Sequence, residues 1–299
     1  MGIANELTGQ AKDLGGGFVV RRLLPSAQRR SVGPFVFFDH FGPVAEVPGI
    51  NHDVRPHPHI GLATVTYLYQ GAIMHRDSLG NEQLIEPGAI NWMSAGRGIV
   101  HSERRPPGLL DQPYVNHGLQ LWVALPRAHE EDEPFFSHTP ASAIPEVSLG
   151  DAEIRVLVGK AFGESSPVAT HCATLYLDVM LPAGGTLELP VLTPEIAVYA
   201  VVGDLSVNHE AVAVGAMAVL EPNASVRIGA SQACRFAVIG GDPLDGPRHL
   251  WWNFLSSRPE RIVQAAQDWE DQRMGVVAGD DDERIPLPTT RFKPLEPMS

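Results

Sequence analysis

The chain has 299 residues, 44% of them apolar and 19% charged, enough to bury a sizeable core and to form two domains. Its formal net charge of -13 repels nucleic acid, and the one basic cluster, Arg21, Arg22, Arg29 and Arg30, is small, so no direct nucleic-acid binding is expected. Cys172 and Cys234 cannot build a disulfide framework, the first residues lack a basic region followed by an apolar run, and the richest apolar segment, Ala211 to Leu220, is too short for a bilayer; the expectation is a cytoplasmic protein without membrane contact.

The 29 Gly and 26 Pro punctuate short segments, as in an all-β protein. Residues 18 to 42 read as two strands joined by a polar turn around Ser26 to Ser31, with His40 beside Asp39 in a loop. After Arg55-Pro56-His57-Pro58-His59 come strand patterns from Thr64 to Tyr69 and from Ile73 to Arg76, and then a tight turn, Asp77 to Asn81, in which Gly80 or Asn81 can take positive φ. Gln83 to Ile85 returns, Pro87-Gly88 turns again, and Ala89 to Met93 completes a meander whose spacing fits a sandwich or barrel. Asn116 to Pro126 is a further strand. The acidic stretch Arg127 to Pro145, with Glu130, Glu131, Asp132 and Glu133, reads as a solvated connection between halves, which places the domains at 1–135 and 136–299.

The second half predicts strands at Ile154 to Val158, Thr174 to Leu181, Ile196 to Val202, Leu205 to Asn208, Ala216 to Leu220 and Phe236 to Ile239. His171, His209 and His249 are scattered singly there, so this half is expected to hold no metal. A helix is predicted at about 257–271, capped by Ser257 with Glu260 completing a capping box, and with Ile262, Ala266 and Trp269 on one face. The tail from Gly279 is acidic, then rich in proline, and is expected to be extended.

Between these patterns lie two pairs of metal donors at i and i+2, His57 with His59 and His101 with Glu103. Side chains on a strand alternate faces, so each pair points one way and two strands can present all four groups to one point. Three imidazoles and a carboxylate suit a divalent first-row ion, and on a six-coordinate ion they leave places for small molecules. One His-x-His alone is weak evidence, since a single strand histidine is usually a satisfied or exposed residue; its repetition as a second donor pair carries the weight. His75, Arg76 and His117 are lesser candidates for which a structural role weighs more.

The motifs His57-Pro58-His59, Thr64-Val65-Thr66-Tyr67, His75-Arg76-Asp77-Ser78-Leu79-Gly80-Asn81 and Trp92-Met93-Ser94-Ala95-Gly96-Arg97-Gly98-Ile99-Val100-His101-Ser102-Glu103 resemble the pirin family of the cupin superfamily, and Gly118 to Val123 and Leu181 to Gly185 extend the match. The resemblance implies an all-β chain of two tandem cupin-type β-barrels (jelly-roll sandwiches) with a short C-terminal helix, and a single metal in the first barrel. The ligands it implies are His57, His59, His101 and Glu103. It also implies iron, with nickel, copper, manganese or zinc open on donor chemistry. Family members have shown quercetin 2,3-dioxygenase activity, and eukaryotic ones are linked to transcription regulation. Many pirins carry a glutamate where this chain has Ala63, nominally on the ligand face, so a roomier pocket with one acceptor fewer is expected.

The function expected from these features is a metal-dependent dioxygenase cleaving a flavonol or similar aromatic enol with dioxygen, with Glu103 as the base. The alternative is a metal-bearing, redox-sensitive module that binds a protein partner. A metal-free structural double barrel fits less well, because three inward imidazoles and a carboxylate are costly to bury without a cation.

Overall fold

The computed structural model describes residues 2–15, 17–50 and 52–293. The chain forms two compact units. One comprises residues 12–20, 39–138 and 244–299, and the other residues 1–11, 21–38 and 139–243. This division differs from the expected cut at 135/136. Residues 244–299 belong with the first half of the chain, and the N-terminal strand Ile3–Thr8 pairs antiparallel with Ala216–Leu220 of the second.

The second unit sandwiches a seven-stranded sheet against a four-stranded one. The larger sheet runs in the order Ile3–Thr8, Ala216–Leu220, Glu195–Val202, Cys234–Gly241, Thr174–Leu181, Ala152–Val158, Glu146–Leu149; the smaller runs Thr186–Leu189, Val226–Gly229, Leu205–Val207, Glu210–Val212. Alternate residues such as Val156, Leu177, Val198, Phe236 and Val238 meet Leu187, Leu205, Val207 and Ile228 in one apolar core, the period-2 pattern that fixes register when one face is buried.

The first unit places the four strands Val54–His59, Ile99–Arg104, Ile73–Asp77 and Glu82–Ile85 in one sheet. Its other sheet orders Phe135–Thr139, Ile90–Ser94, Leu62–Gln70 and Tyr114–Ala124, followed by residues 39–46 of the strand Phe35–Glu46. That last strand is longer than expected and takes in His40, which the sequence placed in a loop. The supposed connection Arg127 to Pro145 likewise contains the strand Phe135–Thr139.

The helix, Pro259–Glu270, covers the outer face of the four-stranded sheet. Ile262, Ala265 and Trp269 pack with Ile60, Val100, Phe254 and Val277, each large side chain contributing about 1.5–3 kcal/mol by its burial. Its N-cap is Arg258, with Pro259 in the first turn and no side-chain cap, so the predicted Ser257 capping box does not form. Ser257 is used elsewhere: its backbone N–H (2.9 Å) and its hydroxyl (2.8 Å) both donate to the Glu130 carboxylate. Glu130, only 4% exposed, also pairs with the fully buried Arg248 at 2.6 Å, so one member of the acidic run is a structural anchor and not a solvated charge.

Residues 280–293 of the tail form no helix or strand and fold back on the strands that carry the donor pairs. The Ile285 backbone N–H donates to the Pro56 carbonyl (2.9 Å), Trp269 Nε1–H donates to the Ile285 carbonyl (3.0 Å), and Arg104 forks onto Asp280 at 2.8 and 2.6 Å. No helix among the described residues is long and apolar enough to cross a membrane.

Candidate metal centre

The two donor pairs lie on adjacent antiparallel strands, Val54–His59 and Ile99–Arg104, in a register that sets His101 opposite His57 and Ile99 opposite His59. On the outer face, Ile60 and Val100 meet the helix. On the inner face the rings of His57, His59 and His101 converge, with centroids 4.3 to 5.1 Å apart, and one nitrogen from each lies within 4.8 Å of the other two.

Burial pushes the pKa of all three down: His57 to about 4, and His59 and His101 well below the ordinary imidazole value, with the neighbouring rings adding to the effect in the latter two. All three are therefore neutral at pH 7, the form that binds a metal. Two buried ring nitrogens, Nδ1 of His59 and Nε2 of His101, have no hydrogen-bond partner among the described residues. His57 Nδ1–H donates to the Arg55 carbonyl at 2.8 Å, which leaves its Nε2 lone pair free. A divalent cation among these nitrogens would satisfy all of them, so the donor set fits a metal ion.

Glu103 stands apart from the imidazole trio, because its carboxylate is not among the groups within 4.8 Å of one another. A bulge in the strand Val54–His59, which has one residue more than its partner between His57 and Val54, sets Val54 rather than Arg55 opposite Glu103, while Glu103 itself keeps regular register with His75. Part of the residue surface stays open, yet its carboxyl group is shut in, and that burial raises its pKa from 4.5 to about 7.

The neighbouring strand Ile73–Asp77 sets His75 opposite Glu103 and Asp77 opposite His101. His75 Nδ1 lies 3.4 Å from His101 Nδ1, its Nε2 lies 3.2 Å from Asp77 Oδ2, and Phe136 stacks on its ring at 4.3 Å. Burial alone would raise the Asp77 pKa, but hydrogen bonds from His75 and Asn81 outweigh it and hold it below the ordinary carboxylate value. In the sequence Asp77 stands out only as the first residue of a tight turn. The signal was present, since His75-x-Asp77 has the same i, i+2 spacing as the two donor pairs.

Arg76 points away from His75 along the strand and pairs with Glu82 at 2.9 Å. His117 is paired with His40 through their Nε2 atoms at 2.7 Å, not with the trio. Across from the strands that carry the histidine trio, Trp122 meets His59 edge to face at 5.1 Å. Trp122 pairs with Thr64, which pairs with Met93; two residues along, roughly 7 Å away, Gln120, Thr66 and Asn91 form a parallel row on the same face. Thr66 donates to Gln120 at 2.8 Å, His138 and Asn91 share a hydrogen bond of 2.9 Å, and Asn91, 3% exposed, keeps an unpartnered amide nitrogen. This polar row was not legible as a site, because each member is an isolated residue in its own strand.

The same register corrects the expectation for Ala63. Thr64 faces Trp122 and the trio, so Ala63, 0% exposed and paired with Val123 and Ser94, faces away from them. Counting faces onward from His59 fails because the chain bends at Gly61 from one sheet into the other. Gly61 takes φ +70°, where a Cβ would meet the Leu255 carbonyl oxygen at 2.0 Å.

Comparison with known proteins agrees with this architecture. The Pirin family matches residues 17–123 and the Pirin C-terminal cupin domain matches residues 176–275. A pirin-like protein of Caulobacter vibrioides is 44% identical over 93% of this chain and 96% of its own, and pirin of Rattus norvegicus is 32% identical over 87% and 89%. The crystal structure of quercetin 2,3-dioxygenase from Acinetobacter baumannii superposes with a TM-score of 0.91 at 34% identity, covering 99% of this chain and 98% of that one. The chain is a two-cupin protein and belongs to the pirin family.

Proposed function

We propose that this protein is a metal-dependent dioxygenase of the quercetin 2,3-dioxygenase type, acting on a flavonol or similar aromatic enol with dioxygen as co-substrate, and that His57, His59, His101 and Glu103 hold one ferrous ion. The observation that carries this reading is the convergence of three buried, neutral imidazoles, two of which have a ring nitrogen without a partner among the described residues. Likeness over nearly the whole chain to a quercetin 2,3-dioxygenase supports the choice of reaction.

When bound, the ion supplies Lewis acidity, making an enol hydroxyl brought to it a stronger acid. The chain supplies the remaining functions. The three imidazoles need shed no proton at neutral pH to act as ligands. Glu103 is the one member of the set whose second carboxylate oxygen could receive the hydroxyl proton; burial raises its pKa to about 7 in the metal-free chain, and a bound ion would lower it. Trp122 and Phe136 offer aromatic surface beside the histidines, and the Asn91 amide nitrogen, in a row with Thr66 and Gln120, offers a hydrogen bond to an oxygen at the far side of a flat ligand.

The test is to load the protein anaerobically with ferrous iron, add quercetin and oxygen, and follow the loss of flavonol absorbance. Turnover well above a His101→Ala control is expected. Turnover equal to that control, with metal bound to the wild-type protein, contradicts the proposed substrate class.

A further inference from the structure

Each histidine of the trio binds a metal only if the proton of its neutral ring sits on the other nitrogen, and the protein fixes this differently in the three cases. The Arg55 carbonyl takes the His57 Nδ1–H at 2.8 Å, and the backbone of Asn253 hydrogen-bonds the His59 ring. Both partners are main chain and cannot change role. His101 has a side chain in that place, His75, 3.4 Å away between two Nδ1 atoms.

We propose that Asp77 and His75 form a positioning pair that sets the tautomer of His101 and so keeps the His101 Nε2 lone pair turned toward the ion. This rests on the ion site proposed above, and the direction of each hydrogen bond follows from its neighbour. Asp77 is a carboxylate and can only accept, so the proton on His75 Nε2 points to it across 3.2 Å. Neutral His75 then carries a lone pair on Nδ1, and the contact to His101 requires the proton to come from His101 Nδ1. His101 Nε2 is left bare, and it is the buried nitrogen without a partner.

The opposite arrangement, a cationic His75 donating through both nitrogens, would move the His101 proton onto Nε2, a buried donor with nothing to accept it, at about 1–3 kcal/mol. The pair is also held rigidly. Asp77 accepts from the backbone N–H groups of Leu79 (2.9 Å) and Asn81 (3.1 Å) and from the Asn81 amide, while Phe136 lies within 12° of parallel to the His75 ring. Outer partners of this kind orient ligands at metal sites and change affinity when lost.

The substitution Asp77→Asn isolates the effect. Its Oδ1 can still accept the Leu79 and Asn81 N–H groups, but it presents an amide donor to His75, which reverses each hydrogen bond in the relay. Long-range 1H–15N spectra of the metal-free protein should show His101 protonated on Nδ1 in wild type and on Nε2 in Asp77→Asn. Zinc affinity, measured by chelator competition, should fall roughly 10- to 100-fold in Asp77→Asn and His75→Leu. It should hold closer to wild type in His75→Gln, which retains an acceptor.

His101 protonated on Nε2 in wild type, or an Asp77→Asn protein with unchanged tautomer and zinc affinity, overturns the proposal. A wild-type protein that shows the Nδ1–H tautomer but binds no zinc supports the pair while overturning the ion reading.

Discussion

His101 and His57 stand directly opposite one another across adjacent antiparallel strands, their ring centroids 4.3 Å apart. Neither ring can take a proton without placing a charge beside the other, and burial holds His57 at about 4. This folded value lies below the unfolded one of 6.5. As pH falls, the unfolded chain therefore binds its proton first, and stability present above pH 6.5 is lost between 6.5 and about 4. A shift of that size is worth about 3 kcal/mol from His57. The thermal midpoint of metal-free protein should fall through this window, and less steeply in His57→Gln; equal slopes would contradict the assignment.

Glu103 titrates in the opposite sense. Its pKa of about 7 means that the carboxyl is mostly protonated at pH 6, and a carboxylate that joins an ion must first lose that proton. Calorimetry of metal binding at pH 6 in buffers of different ionisation enthalpy should report release of about one proton in wild type. Glu103→Gln should release close to none. Equal release from both proteins would remove Glu103 from the set of ligands.

The segment that backs the four-stranded sheet of the histidine trio is tied down by Glu130 and Arg248, which are buried together. Removing Glu130 leaves the fully buried Arg248 with the half-exposed Asp245 as its carboxylate partner, and takes the acceptor from the Ser257 N–H and hydroxyl. Glu130→Ala should destabilise the protein by about 3–5 kcal/mol in denaturant unfolding. Glu131→Ala, which removes an exposed partner of Arg258, should change stability by less than about 1 kcal/mol.

Ala63 tests the register of the barrel. It points away from Trp122 and the trio, so Ala63→Glu should bury a carboxylate among Val123 and its neighbours and lower stability by several kcal/mol, in the range typical of an unpaired buried charge. Zinc affinity and the KM for quercetin should change little in whatever folded protein remains. A stable Ala63→Glu protein with altered substrate preference would place residue 63 in the pocket.

The convergence of the histidines in the candidate site was legible because strand geometry converts an i, i+2 spacing directly into a shared face, as at His57/His59. What spacing could not convey was how far each side chain reaches: Glu103 keeps regular register with His75, as His101 does with Asp77, yet its carboxylate lies outside the group of converging imidazoles. The bend at Gly61 hid the true face of Ala63. Strands with continuous apolar character, such as Thr174–Leu181 and Ala216–Leu220, matched their predicted bounds. The membership of residues 244–299 was not legible, because it depends on long-range partners. Ser257 could cap a helix or bond Glu130, and only the fold decides between them.

The account stands on one ion held jointly by the three histidines, and metal stoichiometry with affinity tests it most directly. Elemental analysis of protein loaded with ferrous iron or zinc and freed of excess should give one ion per chain. Each of His57→Ala, His59→Ala and His101→Ala should retain far less, with affinity lowered at least as much as in Asp77→Asn. A folded His101→Ala protein that keeps one tightly held ion would contradict the shared site.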